Sequence, residues 1–132
     1  MKILVDTHYL LWITNNPEKL TDKEKELLTS PKNEIYCSSI SLWEISLKYA
    51  LGKLTIGKAT PEDIYNYLSK QPITIIEPDK REYATFNNLS LKENHRDPFD
   101  RMLIWQAINN QLVMMSRDRK FEQYREEGLL LK

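Results

Sequence analysis

The sequence predicts an α/β fold with a mainly parallel central sheet of four to five strands, flanked by helices. Two observations carry that prediction. Short β-rich runs alternate with amphipathic helical stretches along the whole chain of 132 residues, and strands separated by helices imply crossover connections and a sheet covered on both faces. The helical stretches are also bounded by explicit start and stop signals.

Taken in order, Lys2–Val5 is an apolar strand that ends at Asp6, and a helix runs from Thr7 to about Thr14 with Leu10, Leu11 and Ile13 apolar. Thr21-Asp22-Lys23-Glu24 is a capping box, opening a short helix that stops before Pro31. Glu34–Ser38 is the second strand. The helix from Ser39 to Leu51 follows, with Gly52 placed to end it. Thr60-Pro61-Glu62-Asp63 starts another helix, with proline at the first helical position. Ile73–Glu77 is the third strand, closed by Pro78, and a helix is expected from Asp79 to Asn88. Asp97-Pro98 opens a helix through about Asn110. Leu112–Ser116 is the fourth strand, Arg119–Tyr124 a short helical turn, and Leu129–Leu131 a short fifth strand.

The size suits one domain over residues 1–132 with one core. An apolar content of 41% and a formal net charge of zero, from 19 basic and 19 acidic residues, exclude a disordered chain. Zero charge also excludes nucleic-acid binding by bulk charge, so a polyanion would have to be held locally, by a patch or a metal. Cys37 is the only cysteine; neither an intrachain disulfide nor a Cys-rich zinc module can form, and Cys37 is expected to be a small buried apolar residue. Asp6 interrupts the apolar start before a signal peptide could form, and no apolar run approaches the ~18 residues of a membrane helix. A soluble, cytoplasmic protein without membrane association is expected. The glycines Gly52, Gly57 and Gly128 form no phosphate-cradling loop, which argues against a nucleotide cofactor.

Five acids stand out from those scattered over helix faces. Asp6 ends the first strand, Glu44 lies in the first turn of the following long helix, Asp97 and Asp100 open the helix before the fourth strand, and Asp118 follows that strand. In an open parallel sheet, ligands bind outside the carboxyl ends of the strands, where Asp6, Glu44 and Asp118 fall. Asp97 and Asp100 join them only if their helix begins at the same rim. Each has a plainer reading: Ser41-Leu42-Trp43-Glu44 fits a capping box, Asp97 an N-cap before Pro98, Asp100 a first-turn anion and Asp118 a cap. Asp6 is harder to explain away, because an unpaired charge closing an apolar strand costs several kcal/mol to bury. Together, clustered carboxylates without Cys/His spacing call for a hard cation, Mg²⁺ or Mn²⁺, and for hydrolysis of a phosphate ester.

Four strings occur in order: Leu4-Val5-Asp6-Thr7-His8-Tyr9-Leu10-Leu11-Trp12, Ser38-Ser39-Ile40-Ser41-Leu42-Trp43-Glu44-Ile45, His95-Arg96-Asp97-Pro98-Phe99-Asp100-Arg101-Met102-Leu103-Ile104 and Met114-Met115-Ser116-Arg117-Asp118-Arg119-Lys120-Phe121. Lys48 and Gly52-Lys53-Leu54 follow the second. Over essentially the whole chain the sequence resembles PIN-domain ribonucleases, in particular the VapC-type toxins of type II toxin–antitoxin modules. The resemblance implies a Mg²⁺- or Mn²⁺-dependent endoribonuclease that hydrolyses RNA phosphodiester bonds by a metal-activated water. The matching acids are Asp6, Glu44, Asp100 and Asp118, as catalytic residues and metal ligands, with Asp97 a secondary ligand. Ser116 stands where the family often has Ser or Thr. A cognate antitoxin and a homodimer are the implied protein partners. Trp105 departs from the small residue many relatives carry there, as core or as a wider dimer contact.

Lys48, four residues after Glu44, is either an ordinary ion pair or a supporting group for the substrate phosphate. Arg96, Arg101, Arg117, Arg119 and Lys120 form a basic surround suited to an RNA backbone. With a metal in place, neither His8 nor His95 is expected to act as a base, and His8 is expected to pack beside the first strand. Trp12, Trp43, Phe99 and Phe121 are expected in the core. A phospho-acceptor receiver domain fails at Ile75-Ile76-Glu77-Pro78, which lacks the required aspartate. A haloacid-dehalogenase-type phosphatase fails at Asp6-Thr7-His8, which lacks Asp-x-Asp. The remaining alternative is a PIN-fold module that binds RNA or protein without cleaving.

Overall fold

In the computed structural model, which describes residues 1–132, the strands are β1 (Lys2–Val5), β2 (Glu34–Ser38), β3 (Ile73–Ile76), β4 (Val113–Met115) and β5 (Leu130–Leu131). All neighbouring pairs are parallel, in the order β3-β2-β1-β4-β5. The helices are α1 (Thr7–Asn15), α2 (Asp22–Thr29), α3 (Ser39–Ala50), α4 (Pro61–Leu68), α5 (Lys80–Thr85) and α6 (Pro98–Asn110), with 3₁₀ segments at Pro17–Lys19, Phe86–Asn88 and Arg119–Glu127. The expected mainly parallel sheet is thus parallel throughout. The helix expected from Asp79 to Asn88 divides into α5 and a 3₁₀ turn. No helix is long and apolar enough to cross a membrane.

Local chemistry explains the boundaries. Thr21 accepts from the Glu24 amide while the Glu24 carboxylate accepts from the Thr21 amide, and Thr60 and Asp63 repeat the arrangement at α4. Each box satisfies two backbone N–H groups that a helix start leaves free. Asp97 caps α6 by accepting from the Phe99 and Asp100 amides.

β1 is buried on both faces, as a central parallel strand should be. Ile3 and Val5 pack with Ile35, Cys37, Ile45 and Met115 on one side of the sheet; Leu4 packs with Leu103, Ile104, Met114 and Phe121 on the other. Cys37 is fully buried, and burial pushes its thiol up to about 12. Trp105 is half-buried, its indole N–H donating to the Glu82 carbonyl at 3.0 Å, so it joins α6 to α5.

Two packing expectations are corrected. His8 is exposed, because α1 turns its ring away from β1 toward Trp12. Trp43 is 60% exposed; it covers Phe99 edge-on at 5.0 Å and forms, with Leu47 and Leu51, an outward apolar stripe along α3 and its C-cap.

The strand order positions everything that follows. Successive crossovers place β2 and β3 on one side of β1 and β4 and β5 on the other. The direction of winding therefore reverses between β1 and β4, where an open sheet leaves a crevice at its carboxyl end.

Candidate active site

Asp6 leaves β1 at that crevice. Its amide still pairs with the Met115 carbonyl of β4 at 3.1 Å, while its carboxylate caps α1 by accepting from the Tyr9 amide at 2.9 Å. The side chain is buried. Burial raises its pKa; the Tyr9 amide and the Ser116 hydroxyl hold it down in part. Ser116, just past β4, also accepts from the Asp118 amide at 3.1 Å, and Asp118 caps the following 3₁₀ segment through the Lys120 amide at 2.9 Å.

Glu44 is buried, but not as part of a capping box. The N-cap of α3 is Ser38, which accepts from the Ile40 amide, so Glu44 lies in the second turn and its carboxylate is free to face inward. It accepts from the Thr7 hydroxyl at 2.8 Å and pairs with Lys48. The Thr7 oxygen lies 2.8 Å from the Ser41 hydroxyl; with its own proton given to Glu44, Thr7 accepts from Ser41. Thr7 and Ser41 thus orient Glu44, and both went unnoticed in the sequence, where Thr7 follows Asp6 and Ser41 reads as a cap.

α6 begins at the same rim because it returns antiparallel to β4. Asp100, in its first turn, is pushed up to about 7 by burial and then by the carboxylates of Asp97, Glu44, Asp6 and Asp118. One group thereby senses all the other acids singled out in the sequence. A like-charged neighbour disfavours ionisation, so the one lysine beside the cluster, Lys48, does not balance its acids. Lys48 is the cation paired with Glu44, and its side chain is 41% exposed. Ligand atoms of Asp100, Asp118 and His95 lie within 4.8 Å of one another. The crowded carboxylates, short of positive charge, fit a hard divalent ion.

The basic residues separate into two groups. Arg96, Arg119 and Lys120 are exposed. Arg101 is not: it is buried, donates to the Leu89 and Ser90 carbonyls at 3.0 and 3.2 Å, and lies over the Phe86 ring. It belongs to the packing of α6, which corrects its expected place on the RNA-facing surface. Arg117 is also engaged. It donates to Glu24, to the Lys19 carbonyl at 2.8 Å and to the Tyr9 hydroxyl at 3.2 Å, and stacks 4.3 Å from the Trp12 ring centroid.

Arg117 thereby ties the loop carrying Ser116 and Asp118 to α1 and α2. The Arg117 guanidinium, with the Thr21 amide and Tyr9 hydroxyl, holds the Glu24 carboxyl down at about 2 against the cost of burial. A depressed pKa stabilises the fold above the ordinary carboxylate range, and the contribution fades as pH falls toward about 2. Arg117→Ala is expected to lower stability at neutral pH by about 1–2 kcal/mol, with a smaller loss at pH 3. Calorimetric melts of both proteins at the two pH values check this.

A parallel sheet with a carboxylate cluster at its switch point defines an acidic-cleft α/β protein. The chain belongs to the PIN domain family, whose model matches residues 3–127. Among curated proteins, none matches the sequence. Among solved structures, the chain is similar to one in the crystal structure of VapBC2 from Rickettsia felis bound to a DNA fragment from their promoter. The TM-score there is 0.73 at 20% identity, covering 100% of this chain and 98% of that one. It is also similar to a chain of DNA-bound VapBC from Salmonella typhimurium, with TM-score 0.65 and 23% identity, covering 100% and 97%. A chain of FitAcB from Neisseria gonorrhoeae gives 0.62 and 16%, covering 98% and 95%. At these identities the likeness is one of fold.

Proposed function

We propose that this chain is a Mg²⁺- or Mn²⁺-dependent endoribonuclease, acting in the cytoplasm as the toxin of a VapC-type toxin–antitoxin pair. The carrying observation is the raised Asp100 carboxyl, pushed up to about 7 by burial and by four neighbouring carboxylates. PIN membership and fold likeness to chains of the VapBC and FitAcB structures support the same reading. Asp6, Glu44, Asp100 and Asp118 would hold the cation directly or through water, with Asp97 as a secondary ligand. When bound, the cation supplies stabilisation of phosphoryl charge and lowers the pKa of a water, the two requirements of in-line phosphodiester hydrolysis.

The chain's own residues do the rest. Thr7 orients Glu44, the Tyr9 amide orients Asp6, and Ser116 lies against both Asp6 and Asp118. Arg96, Arg119 and Lys120 lie exposed near these acids in the chain and would hold the RNA backbone through its phosphates. The cognate antitoxin and a second copy of the chain are the protein partners this reading carries.

The test is incubation of the purified, antitoxin-free protein with total RNA and Mn²⁺ or Mg²⁺, beside an EDTA control and the Asp6→Asn variant. Discrete cleavage that vanishes in both controls is expected. Absence of cleavage by the folded protein overturns the nuclease in favour of a binding module that has kept its acids.

Two further outcomes follow from the same geometry. Lys48→Ala is expected to leave the fold intact, since an i,i+4 pair contributes about 0.2–0.5 kcal/mol, while reducing RNA cleavage; unchanged cleavage would confine Lys48 to its ion pair. Replacing Arg96, Arg119 and Lys120 together by alanine is expected to flatten the log–log dependence of RNA affinity on salt by about 2. Titrations at several salt concentrations would expose an unchanged slope, which removes these residues from the interface.

A further inference from the structure

We propose that His95 is the positioning residue for Asp100: its ring forms a fixed hydrogen-bond relay from Tyr124 to the Asp100 carboxylate. This rests on the metal-dependent nuclease reading and adds to it the group that sets where one ligand stands. His95 is 3% exposed, an unusual burial for a polar ring. Its Nδ1 lies 2.9 Å from the Tyr124 hydroxyl and its Nε2 3.3 Å from Oδ2 of Asp100. Phe121 and Tyr124 hold the ring on its flanks, with centroids 5.5 Å away in both cases.

The backbone carrying the ring is fastened as well. The Ser90 amide donates to Glu127, Lys92 to Glu126 and Gln123 to Asn94, at 2.8, 2.6 and 2.9 Å. These three contacts zip the segment before α6 onto the 3₁₀ segment Arg119–Glu127, whose N-cap is Asp118. His95–Tyr124 is the fourth rung. The zip therefore sets α6 with Asp100 and the 3₁₀ start with Asp118 in one frame.

The direction of the relay follows from its ends. An ionised Asp100 only accepts, so Nε2 carries the hydrogen; in the neutral ring Nδ1 is then bare and accepts from the Tyr124 O–H. With Asp100 ionised, only this tautomer gives both ring nitrogens a matched partner. A partner outside the ligand set that orients a ligand in this way typically governs metal affinity or activity by 10–100-fold.

Two measurements on the full chain test the proposal. In the metal-free, ¹⁵N-labelled protein at about pH 8.5, where Asp100 is ionised, imidazole ¹⁵N–¹H correlations should show the Nε2–H tautomer at His95; the Nδ1–H tautomer there overturns the relay. Mn²⁺ binding is then followed by the EPR signal of the free ion. His95→Asn keeps an amide near Nδ1 but falls short of Asp100, whereas His95→Gln reaches it. We expect about a tenfold loss of affinity in His95→Asn, a smaller loss in Tyr124→Phe, and recovery to within about threefold in His95→Gln.

Parental affinity in both His95→Asn and Tyr124→Phe overturns the positioning role, as does ¹⁴N coupling to Mn²⁺ in the parent, which would make His95 a direct ligand. Should His95→Asn fail to fold, Tyr124→Phe and the tautomer decide. A parent that binds no Mn²⁺ overturns the nuclease reading itself, and the relay's role with it.

Discussion

Asp6→Asn is expected to reduce metal-dependent RNA cleavage to background, a loss of roughly 10²–10³-fold or more, while raising the stability of the metal-free protein. The two effects have one cause. Asp6 is buried at the end of β1, where an ionised carboxylate is poorly solvated and its pKa is raised, chiefly by that burial. Asparagine is as good an N-cap as aspartate, so the bond from the Tyr9 amide that starts α1 survives the substitution. The negative charge is what disappears. Without metal its removal relieves desolvation and repulsion from Asp118, and a gain on the order of 1 kcal/mol corresponds to about 4 °C in Tm at this chain length. With metal the same removal takes away a ligand. Thermal melts in EDTA and cleavage assays on one preparation read both effects, and retained cleavage would remove Asp6 from the proposed ligand set.

The metal-free protein is expected to lose stability as pH rises from about 4 to about 7, and millimolar Mn²⁺ is expected to restore it at neutral pH. Asp100 is pushed up to about 7 from an ordinary 3.8, by burial first and by Asp97, Glu44, Asp6 and Asp118 after it. Between those values the folded chain keeps a proton that the unfolded chain has lost. Stability therefore falls with rising pH across the window and levels off above it. The full shift corresponds to at most about 4 kcal/mol. Asp6, also raised, acts in the same sense. His95 opposes them below its ordinary 6.5, because burial lowers its pKa. Comparison with Asp100→Asn isolates the Asp100 contribution: the variant should show a shallower fall in Tm between pH 4.5 and 7.5 in EDTA. Mn²⁺ at about 100 times its dissociation constant should recover about 2.7 kcal/mol in the parent. Equal slopes in the two proteins would show that Asp100 is not the titrating group.

The fold was readable because its signals are local. Alternation of β-rich and amphipathic runs, the capping box at Thr21–Glu24, and Pro61 and Pro98 at helix starts act through neighbours a few residues apart. The same locality misled in places. Ser41 and Glu44 have capping-box spacing, yet Ser38 takes the cap, since β2 delivers the chain to α3 three residues earlier. Asp97 and Asp118 do cap helical segments, each through Oδ1, and that role leaves the other carboxylate oxygen of each uncommitted. Arg101 and Arg117 look like surface cations in a basic string, but one is enclosed by the Leu89–Ser90 turn and the other is claimed by Glu24.

By itself, the sequence determined the α/β class, the order of strands and helices, and the PIN resemblance that the family match bears out. It also singled out the acids, through residue type and position relative to strand ends. Only the tertiary structure decided which polar groups serve those acids. Arg117 meets Tyr9 across 108 residues, Thr7 meets Glu44 across 37, and His95 meets Tyr124 across 29. The physical reason is range. Periodicity and capping depend on hydrogen bonds within a helical turn, whereas burial, pairing and the raised pKa of Asp100 depend on distances that exist only after β1 and β4 have paired.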